Sequence, residues 1–148
     1  MTKKMDKHQT NDQRSGLAPR GDVLIVEDNL ANQKVMECML VRLGFNVAFA
    51  ENGLQALESV RGKRFDLIFM DCQMPVMDGY VATQKLKAMM KSGEVFNTPI
   101  IAVTANALMS DRRKCIDAGM DDFMAKPVRL KQLDEIASVW LGVQARAD

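Results

Sequence analysis

The sequence predicts a single α/β domain in which five parallel strands alternate with five helices. Short apolar runs alternate with longer amphipathic segments. An uninterrupted run rich in β-branched residues, such as residues 23–26, is typical of a strand that is buried on both faces. Parallel strands need crossover connections, so this alternation favours a doubly wound sheet with helices on both faces. The 148 residues suffice for one domain with a substantial core but not for two.

The strand predictions follow the apolar runs in chain order. The third run has its apolar centre at residues 67–70, and the fourth is apolar throughout residues 100–103. The five predicted strands cover residues 23–26, 46–50, 65–71, 100–103 and 123–125.

The helix predictions follow apolar residues at helical spacing. The first helix begins at a cap on Asp28 or Asn29 and stops at Gly44. Its apolar positions are Val35, Met36, Met39, Leu40 and Leu43. The second helix covers residues 52–60, with Leu54 and Leu57 facing inward. The last three cover residues 79–90, 109–118 and 130–141. The final helix places on one side Leu133, Ile136, Ala137 and Trp140.

The two ends of the chain are predicted to lie outside the domain. Residues 1–20 are polar, lack periodicity and carry five basic against two acidic residues, which is typical of a disordered linker or leader. The domain covers residues 21–142, and residues 143–148 form a C-terminal tail.

Composition narrows the class of protein. The net charge of +1 provides no general attraction to nucleic acid or to a membrane surface. Because the sequence contains neither a membrane-length apolar run nor a signal peptide, we expect a cytoplasmic protein. The three cysteines are odd in number and far apart, which argues against a disulfide framework or a zinc site. We expect buried or half-buried thiols in a reducing compartment.

Polar residues stand at the carboxyl ends of four of the predicted strands. Those ends lie on one edge of a parallel sheet, so their side chains are expected to converge in one shallow pocket. The converging residues are Glu27, Asp28, Asp71, Thr104 and Lys126.

Such a pocket has a definite chemistry. Three neighbouring carboxylates repel one another unless a cation lies among them, and hard oxygen ligands favour Mg²⁺ or Mn²⁺. Lys126 and Thr104 would contact the oxygens of a phosphoryl group, and Asp71 would be the nucleophile.

Each member of this set also has an ordinary interpretation. Acidic residues after a strand often cap the next helix, and this is the ordinary interpretation of Glu27 and Asp28. A threonine hydroxyl such as that of Thr104 is usually a cap, and a lysine before a proline, such as Lys126, is usually a surface residue. The joint occurrence at four strand ends is what favours a functional site.

The residues resemble the receiver domains of two-component response regulators over about residues 22–141. Four segments carry the resemblance: VLIVEDN (23–29), MDCQMPVMDG (70–79), PIIAVTANA (99–107) and DDFMAKPV (121–128). The resemblance implies a flavodoxin-like fold with strand order 2-1-3-4-5.

The resemblance also implies roles for particular residues. Asp71 is the implied phosphoacceptor, and the implied metal contacts are Asp28, Asp71, Glu27 acting mainly through water, and the backbone carbonyl of Gln73. Thr104 resembles the switch hydroxyl and Lys126 the phosphate-contacting lysine, and movement of Thr104 repacks the surface around the fourth helix and fifth strand. The Lys126–Pro127 bond is expected to be cis. Phe123 occupies the position of the switch aromatic, with a plain core aromatic as the alternative.

The sequence is most similar to receivers of hybrid histidine kinases, in which phosphate passes from a kinase histidine to the receiver aspartate and on to a phosphotransfer protein. The implied partners are a histidine kinase, a histidine phosphotransfer protein, or both, with the chain a monomer or weak dimer. Docking is expected at Leu30, Ala31, Pro127 and Val128; the alternative for Leu30 and Ala31 is that they are ordinary surface residues.

Two other functions belong to different classes. A metal-dependent phosphatase with an aspartyl nucleophile needs a second acid two residues later, where this chain has Gln73. A mononucleotide-binding module needs a phosphate loop after the first strand, where this chain has Glu27 and Asp28. We therefore expect a phosphorylation switch or relay that is not a conventional enzyme.

Overall fold

The computed structural model describes residues 18–105 and 109–147. Its strands are β1 (Gly21–Val26), β2 (Phe45–Ala50), β3 (Leu67–Asp71), β4 (Ile100–Thr104) and β5 (Asp122–Ala125). Its helices are α1 (Leu30–Arg42), α2 (Gly53–Gly62), α3 (Gly79–Lys91), α4 (Met109–Ala118) and α5 (Leu130–Ala147). The predicted disordered leader lies outside the described residues except for residues 18–20.

The five strands form one parallel sheet in the order β2-β1-β3-β4-β5, which confirms the predicted fold class and strand order. The chain reverses its direction of travel across the sheet between β1 and β3, so the crevice of a doubly wound fold opens there. In the register, Val26 pairs with Met70, Asp71 with Val103, and Thr104 with Ala125. The ends of β1, β3 and β4 therefore lie side by side.

The sheet is covered on both faces. Leu24, Ile68 and Ile100 point into a cluster with apolar residues of α2, α3 and α4. Val23 and Leu67, one position before two of these residues, point into a second cluster with α1 and α5. Because successive strand residues face opposite sides, burial of both faces requires apolar residues at every position. This requirement explains why the central strands are uninterrupted apolar runs.

Three side chains differ from their predicted burial. Val35 and Leu54 were expected to face inward, but they are 56% and 48% exposed. On α1 the buried positions are instead Gln33, Met36 and Leu40, since the amide of Gln33 turns inward and donates to the Glu27 carbonyl, directly after β1. Cys38 is exposed, so the expectation of a buried or half-buried thiol is wrong for this one cysteine.

On α2, Gly53 takes the inward position next to Leu54. A Cβ atom on Gly53 would lie 2.8 Å from that of Ala82, so the start of α2 packs directly against α3. This close packing leaves Leu54 at the edge of the contact, facing outward.

The final helix is longer than predicted. It continues through Gly142 to Ala147, so residues 143–147, which the sequence analysis assigned to a tail, are helical. A glycine within a helix costs only about 1 kcal/mol relative to alanine, and the residues that follow it here are good helix formers. The predicted domain boundary at residues 21–142 stays a prediction.

Candidate functional site

The predicted set of polar residues converges at the carboxyl ends of the strands. Ligand oxygens of Glu27, Asp28 and Asp71 lie within 4.8 Å of one another. The Lys126 ammonium lies 3.4 Å from Glu27 Oε1 and 3.6 Å from Asp71 Oδ1. Thr104 ends β4 and is buried in the same rim of the sheet. All five residues therefore belong to one site.

Glu27 and Asp28 are held without forming the cap of α1. The side chain of Asn29 caps that helix, accepting a hydrogen bond from Asn32 N–H at 2.9 Å. Glu27 is 5% exposed, its Oε2 accepts from Asn29 N–H at 3.0 Å, and its backbone carbonyl accepts from the Gln33 amide at 2.7 Å. The capping interpretation therefore does not account for the two acids.

Asp71 is a buried carboxylate at the end of β3. Its side chain is only 8% exposed, and its Oδ1 accepts a hydrogen bond from Gln73 N–H at 3.2 Å. The pKa of Asp71 is raised to about 6 in total, mainly because the group is buried. The Gln73 N–H and the charge of Lys126 lower this pKa, and the charge of Glu27 raises it. One lysine does not balance three carboxylates, so the site favours an added cation.

The loop after β3 depends on a glycine that the sequence analysis did not single out. A Cβ atom on Gly79 would collide with the carbonyl oxygen of Asp71 and lie 2.9 Å from Cys72 Cα, while its N–H donates to the Cys72 carbonyl at 3.1 Å. Only glycine permits this approach, which holds the start of α3 behind the Asp71 backbone. The glycine that ends the MDCQMPVMDG segment was the available sequence signal.

The β5 end brings Lys126 to the site. Lys126 N–H donates to the Thr104 carbonyl at 2.8 Å, which extends the pairing of β4 and β5 to the rim. The peptide bond between Lys126 and Pro127 is cis. Phe123 is half-buried on β5, and the guanidinium of Arg112 lies over its ring at 4.2 Å, a contact that the sequence analysis missed.

A cleft of about 420 Å³ opens beside Lys126. Its lining includes Val35 and Met36 of α1 together with Pro127 and Val128. Leu30, at the start of α1, is 67% exposed. The lining also includes Glu27, Asn32, Val103 and Lys126, so the cleft is continuous with the carboxylate site. The predicted docking residues Ala31, Pro127 and Val128 are exposed or half-buried on this side of the domain.

Within the part of the chain that the structure describes, no helix has both the length and the apolarity needed to cross a membrane.

Comparison with known proteins gives a consistent result. Residues 23–138 match a family model described as the response regulator receiver domain. Hybrid signal transduction histidine kinase A of Dictyostelium discoideum is 40% identical over 126 residues, covering 84% of this chain and 6% of the relative. Sensor histidine kinase GacS of Pseudomonas protegens is 34% identical over 146 residues, covering 99% of this chain and 16% of the relative. The chain thus spans a small part of these relatives.

Two solved structures are also similar. The receiver domain of sensor histidine kinase PA1611 from Pseudomonas aeruginosa, crystallised with magnesium in its active-site cleft, is 46% identical. The match covers 82% of this chain and 98% of that one, with a TM-score of 0.74. The second is a complex of the Saccharomyces cerevisiae phosphotransfer protein Ypd1 with the receiver domain of Ssk1. Its match is 32% identical, has a TM-score of 0.80, and covers 87% of this chain and 94% of that one.

Proposed function

The chain belongs to the response regulator receiver domain family, and we propose that it takes a phosphoryl group from a phosphohistidine onto Asp71 in a Mg²⁺-dependent reaction. The observation that carries the proposal is the meeting of a buried carboxylate, two further acids and a lysine at one sheet edge. The phosphoryl group then switches the domain or passes on in a phosphorelay.

The donor set fits Mg²⁺. Three carboxylates within 4.8 Å offer hard oxygen ligands, and no histidine or cysteine belongs to that group among the described residues. We assign the ligands as Asp28 and Asp71 directly, Glu27 mainly through water, and the backbone carbonyl of Gln73. When bound, the ion neutralises charge on the carboxylates and on the phosphoryl oxygens. The PA1611 receiver, which holds magnesium in its cleft, supports the assignment.

The residues of the chain perform the transfer by position and charge. At neutral pH a carboxyl group with a pKa of about 6 is mostly ionised, so Asp71 can attack phosphorus. A bond forms between an Asp71 oxygen and phosphorus while the bond from phosphorus to the donor nitrogen breaks, and that nitrogen keeps the electron pair. Lys126 and Thr104 contact the oxygens of the transferred group. The low exposure of Asp71 limits the access of water to the acyl phosphate.

Several finer features belong to the same proposal. Phosphate on Asp71 draws Thr104 inward and repacks the surface around α4 and β5, with Phe123 following the movement. The domain loses its phosphoryl group slowly without a partner and acts as a monomer or weak dimer that touches neither nucleic acid nor membrane. It works in the cytoplasm, where free thiols such as Cys38, Cys72 and Cys115 persist.

The phosphodonor or acceptor is proposed to dock beside the site. Pro127 and Val128 line the cleft next to Lys126, and Leu30 and Ala31 lie in the first turn of α1, which also contributes Asn32 to the lining. Apolar residues beside a reacting centre suit a helical partner. The complex of Ypd1 with the Ssk1 receiver supports a histidine phosphotransfer protein or a histidine kinase as the partner. Replacing Leu30 by Asp should slow transfer from a purified histidine-containing partner but not uptake from a small phosphodonor. Val139→Asp, an exposed change on α5, is the matched control.

The decisive experiment measures phosphoryl uptake at Asp71. Incubation with Mg²⁺ and a small acyl phosphate should add one acid-stable, base-labile phosphoryl group, found by intact mass and mapped to the peptide that contains Asp71. Asp71→Asn should lose the label, whereas Asp66→Asn, at the position just before the first residue of β3, should keep it. Full labelling of Asp71→Asn would sink the proposal. Sustained turnover of a generic phosphomonoester would favour a phosphatase instead, against which Gln73 argues because an amide cannot transfer protons.

A further inference from the structure

Two buried thiols lie in contact behind the proposed phosphoacceptor. Cys72 directly follows Asp71, and Cys115 lies on α4, 43 residues away in the sequence. Their sulfur atoms are 4.0 Å apart, and the two residues are 1% and 3% exposed. Neither residue has a role in the chemistry assigned to the site.

The backbone on each side of this contact is hydrogen-bonded to neighbouring elements. Cys72 N–H donates to the Val103 carbonyl at 3.2 Å, and the Cys72 carbonyl accepts from Gly79 N–H at 3.1 Å. The Cys115 carbonyl accepts from Met120 N–H at 2.9 Å, in the turn that ends α4. A covalent bond between the sulfurs would therefore join the loop that directly follows the nucleophile to the helix that follows Thr104 in the chain.

The geometry is within reach of a disulfide. The bond needs sulfur atoms about 2 Å apart, so the two must approach each other by a further distance of about 2 Å. Rotation about the Cα–Cβ bond of each cysteine supplies part of this movement, and a small shift of α4 or of the loop supplies the rest. Cys38, in contrast, is exposed on α1 and does not belong to this buried pair.

We propose that Cys72 and Cys115 form an intramolecular disulfide under oxidising conditions, and that this modification slows phosphoryl uptake at Asp71. The second half of the proposal rests on the function proposed above. The movement needed to close the bond acts on the residue next to the nucleophile, and a displacement of about 1 Å at a reacting group can lower a rate 100-fold. We therefore expect uptake to fall by at least about ten-fold.

The oxidation balances with a two-electron oxidant such as a peroxide. The two S–H bonds break and one S–S bond forms, and with hydrogen peroxide as the oxidant its O–O bond takes up the two electrons and two protons to give two water molecules. Burial keeps the pair inert in the resting protein, and it raises the pKa of the Cys115 thiol. Reaction therefore proceeds slowly, through local openings of α4.

The test uses Cys38→Ser so that the pair is the only source of thiols. This protein is treated with the thiol oxidant diamide, whose N=N bond is reduced to a hydrazine, because a peroxide would also attack the 12 methionines. Alkylation followed by peptide mapping identifies the linked cysteines. Phosphoryl uptake from a small acyl phosphate with Mg²⁺ is then measured before oxidation, after oxidation, and after reduction with a dithiol.

The expected result is a Cys72–Cys115 linked peptide pair, a fall in uptake of at least about ten-fold, and full recovery on reduction. Cys38→Ser/Cys115→Ala should take up phosphoryl groups normally with or without diamide, and Cys38→Ser/Cys72→Ala serves as a second variant if the first does not fold. If the folded protein forms no linked pair after prolonged oxidation, or forms it without a change in rate, the inference is wrong. If the reduced protein takes up no phosphoryl group, the proposed function fails, and the peptide map still decides whether the disulfide forms.

Discussion

The acidic side chains at the two edges of the sheet differ in how their charges are paired. At the amino edge, Asp22 lies 3.3 Å from the Lys63 ammonium, and its N–H donates to the Asp66 carboxylate at 2.8 Å. Asp121 lies 2.6 Å from the Lys87 ammonium. Each acid at this edge thus has its own partner.

At the carboxyl edge, ligand oxygens of Glu27, Asp28 and Asp71 lie within 4.8 Å of one another, and the Lys126 ammonium lies close to Glu27 and Asp71. Glu27 and Asp71 are nearly inaccessible to water. Buried like charges cost free energy, and folding alone gives no reason to collect them. The comparison teaches that unbalanced buried charge distinguishes the candidate site from the amino edge of the sheet.

The strongest test of this difference between the two edges replaces one lysine at each edge, Lys126 at the carboxyl edge and Lys87 at the amino edge. Lys126→Met should lower the rate of phosphoryl uptake by about 100-fold, because the ammonium is the cation that we propose contacts the transferred oxygens. Lys87→Met removes a partly exposed ion pair and should cost about 1 kcal/mol or less, with no change in uptake. Rates of uptake and urea unfolding curves measure the two effects. If both variants lost the same fraction of their rate of phosphoryl uptake, the two edges would not differ in function as proposed.

A second contrast uses two glycines. Gly79→Ala should lower the free energy of unfolding by about 2–4 kcal/mol, because its Cβ atom would collide with the Asp71 backbone. Gly62→Ala, at the end of α2 near the amino edge, meets nothing within 4 Å and should be neutral or stabilise the protein by up to about 1 kcal/mol. Chemical denaturation distinguishes the outcomes, and a stable, fully active Gly79→Ala would contradict the tight packing behind Asp71.

A third contrast concerns the binding of Mg²⁺, which we expect at the carboxyl edge and not at the amino edge. Mg²⁺ at 100 times its Kd should raise the free energy of unfolding by about 2.7 kcal/mol, and a chelator should remove this gain. Asp28→Asn should weaken binding by about ten-fold or more, while Asp22→Asn should leave it unchanged. Isothermal titration calorimetry and thermal melts with and without Mg²⁺ provide the measurement. Equal affinity in the two variants would place the ion elsewhere.

The smallest expected effect is a dependence of stability on pH in the absence of metal. The pKa of Asp71 rises on folding from an ordinary value of 3.8 to about 6. Between those values the native state binds more protons than the unfolded state, so the free energy of unfolding falls as pH rises from about 4 to about 6. The fall should be about 1–3 kcal/mol, absent in Asp71→Asn and opposed by Mg²⁺. Urea unfolding at a series of pH values tests it; a rise through this window that is specific to Asp71 would be the contrary result.

The sequence predicted the fold class and the members of the site from two different signals. Apolar runs at residues 23–26 and 100–103 require burial on both faces, and parallel strands then bring their carboxyl ends together. This topological argument was enough to bring Asp71, Thr104 and Lys126 to one rim. It did not depend on knowing any side-chain conformation.

Other features depended on packing between elements that are distant in the sequence. Periodicity placed Val35 and Leu54 inside, but the buried amide of Gln33 and the contact of Gly53 with α3 decided which faces of α1 and α2 point inward. Helical spacing defines a stripe of residues only to within about one position, so a local hydrogen bond or a close helix contact can rotate it. The extension of α5 past Gly142 has a similar cause, since a single glycine is too weak a signal to end a helix.

By itself, then, the sequence determined the order of the elements, the two-sided burial of the sheet and the rim on which the acids stand. Three contacts were decided by the tertiary structure alone. They are the 4.0 Å contact of Cys72 with Cys115, the position of the Arg112 guanidinium over the Phe123 ring, and the distances from Lys126 to the carboxylates of Glu27 and Asp71. The physical reason is that periodicity and strand direction are properties of local chain geometry. The distance between two side chains far apart in sequence is set only when the helices pack onto the sheet.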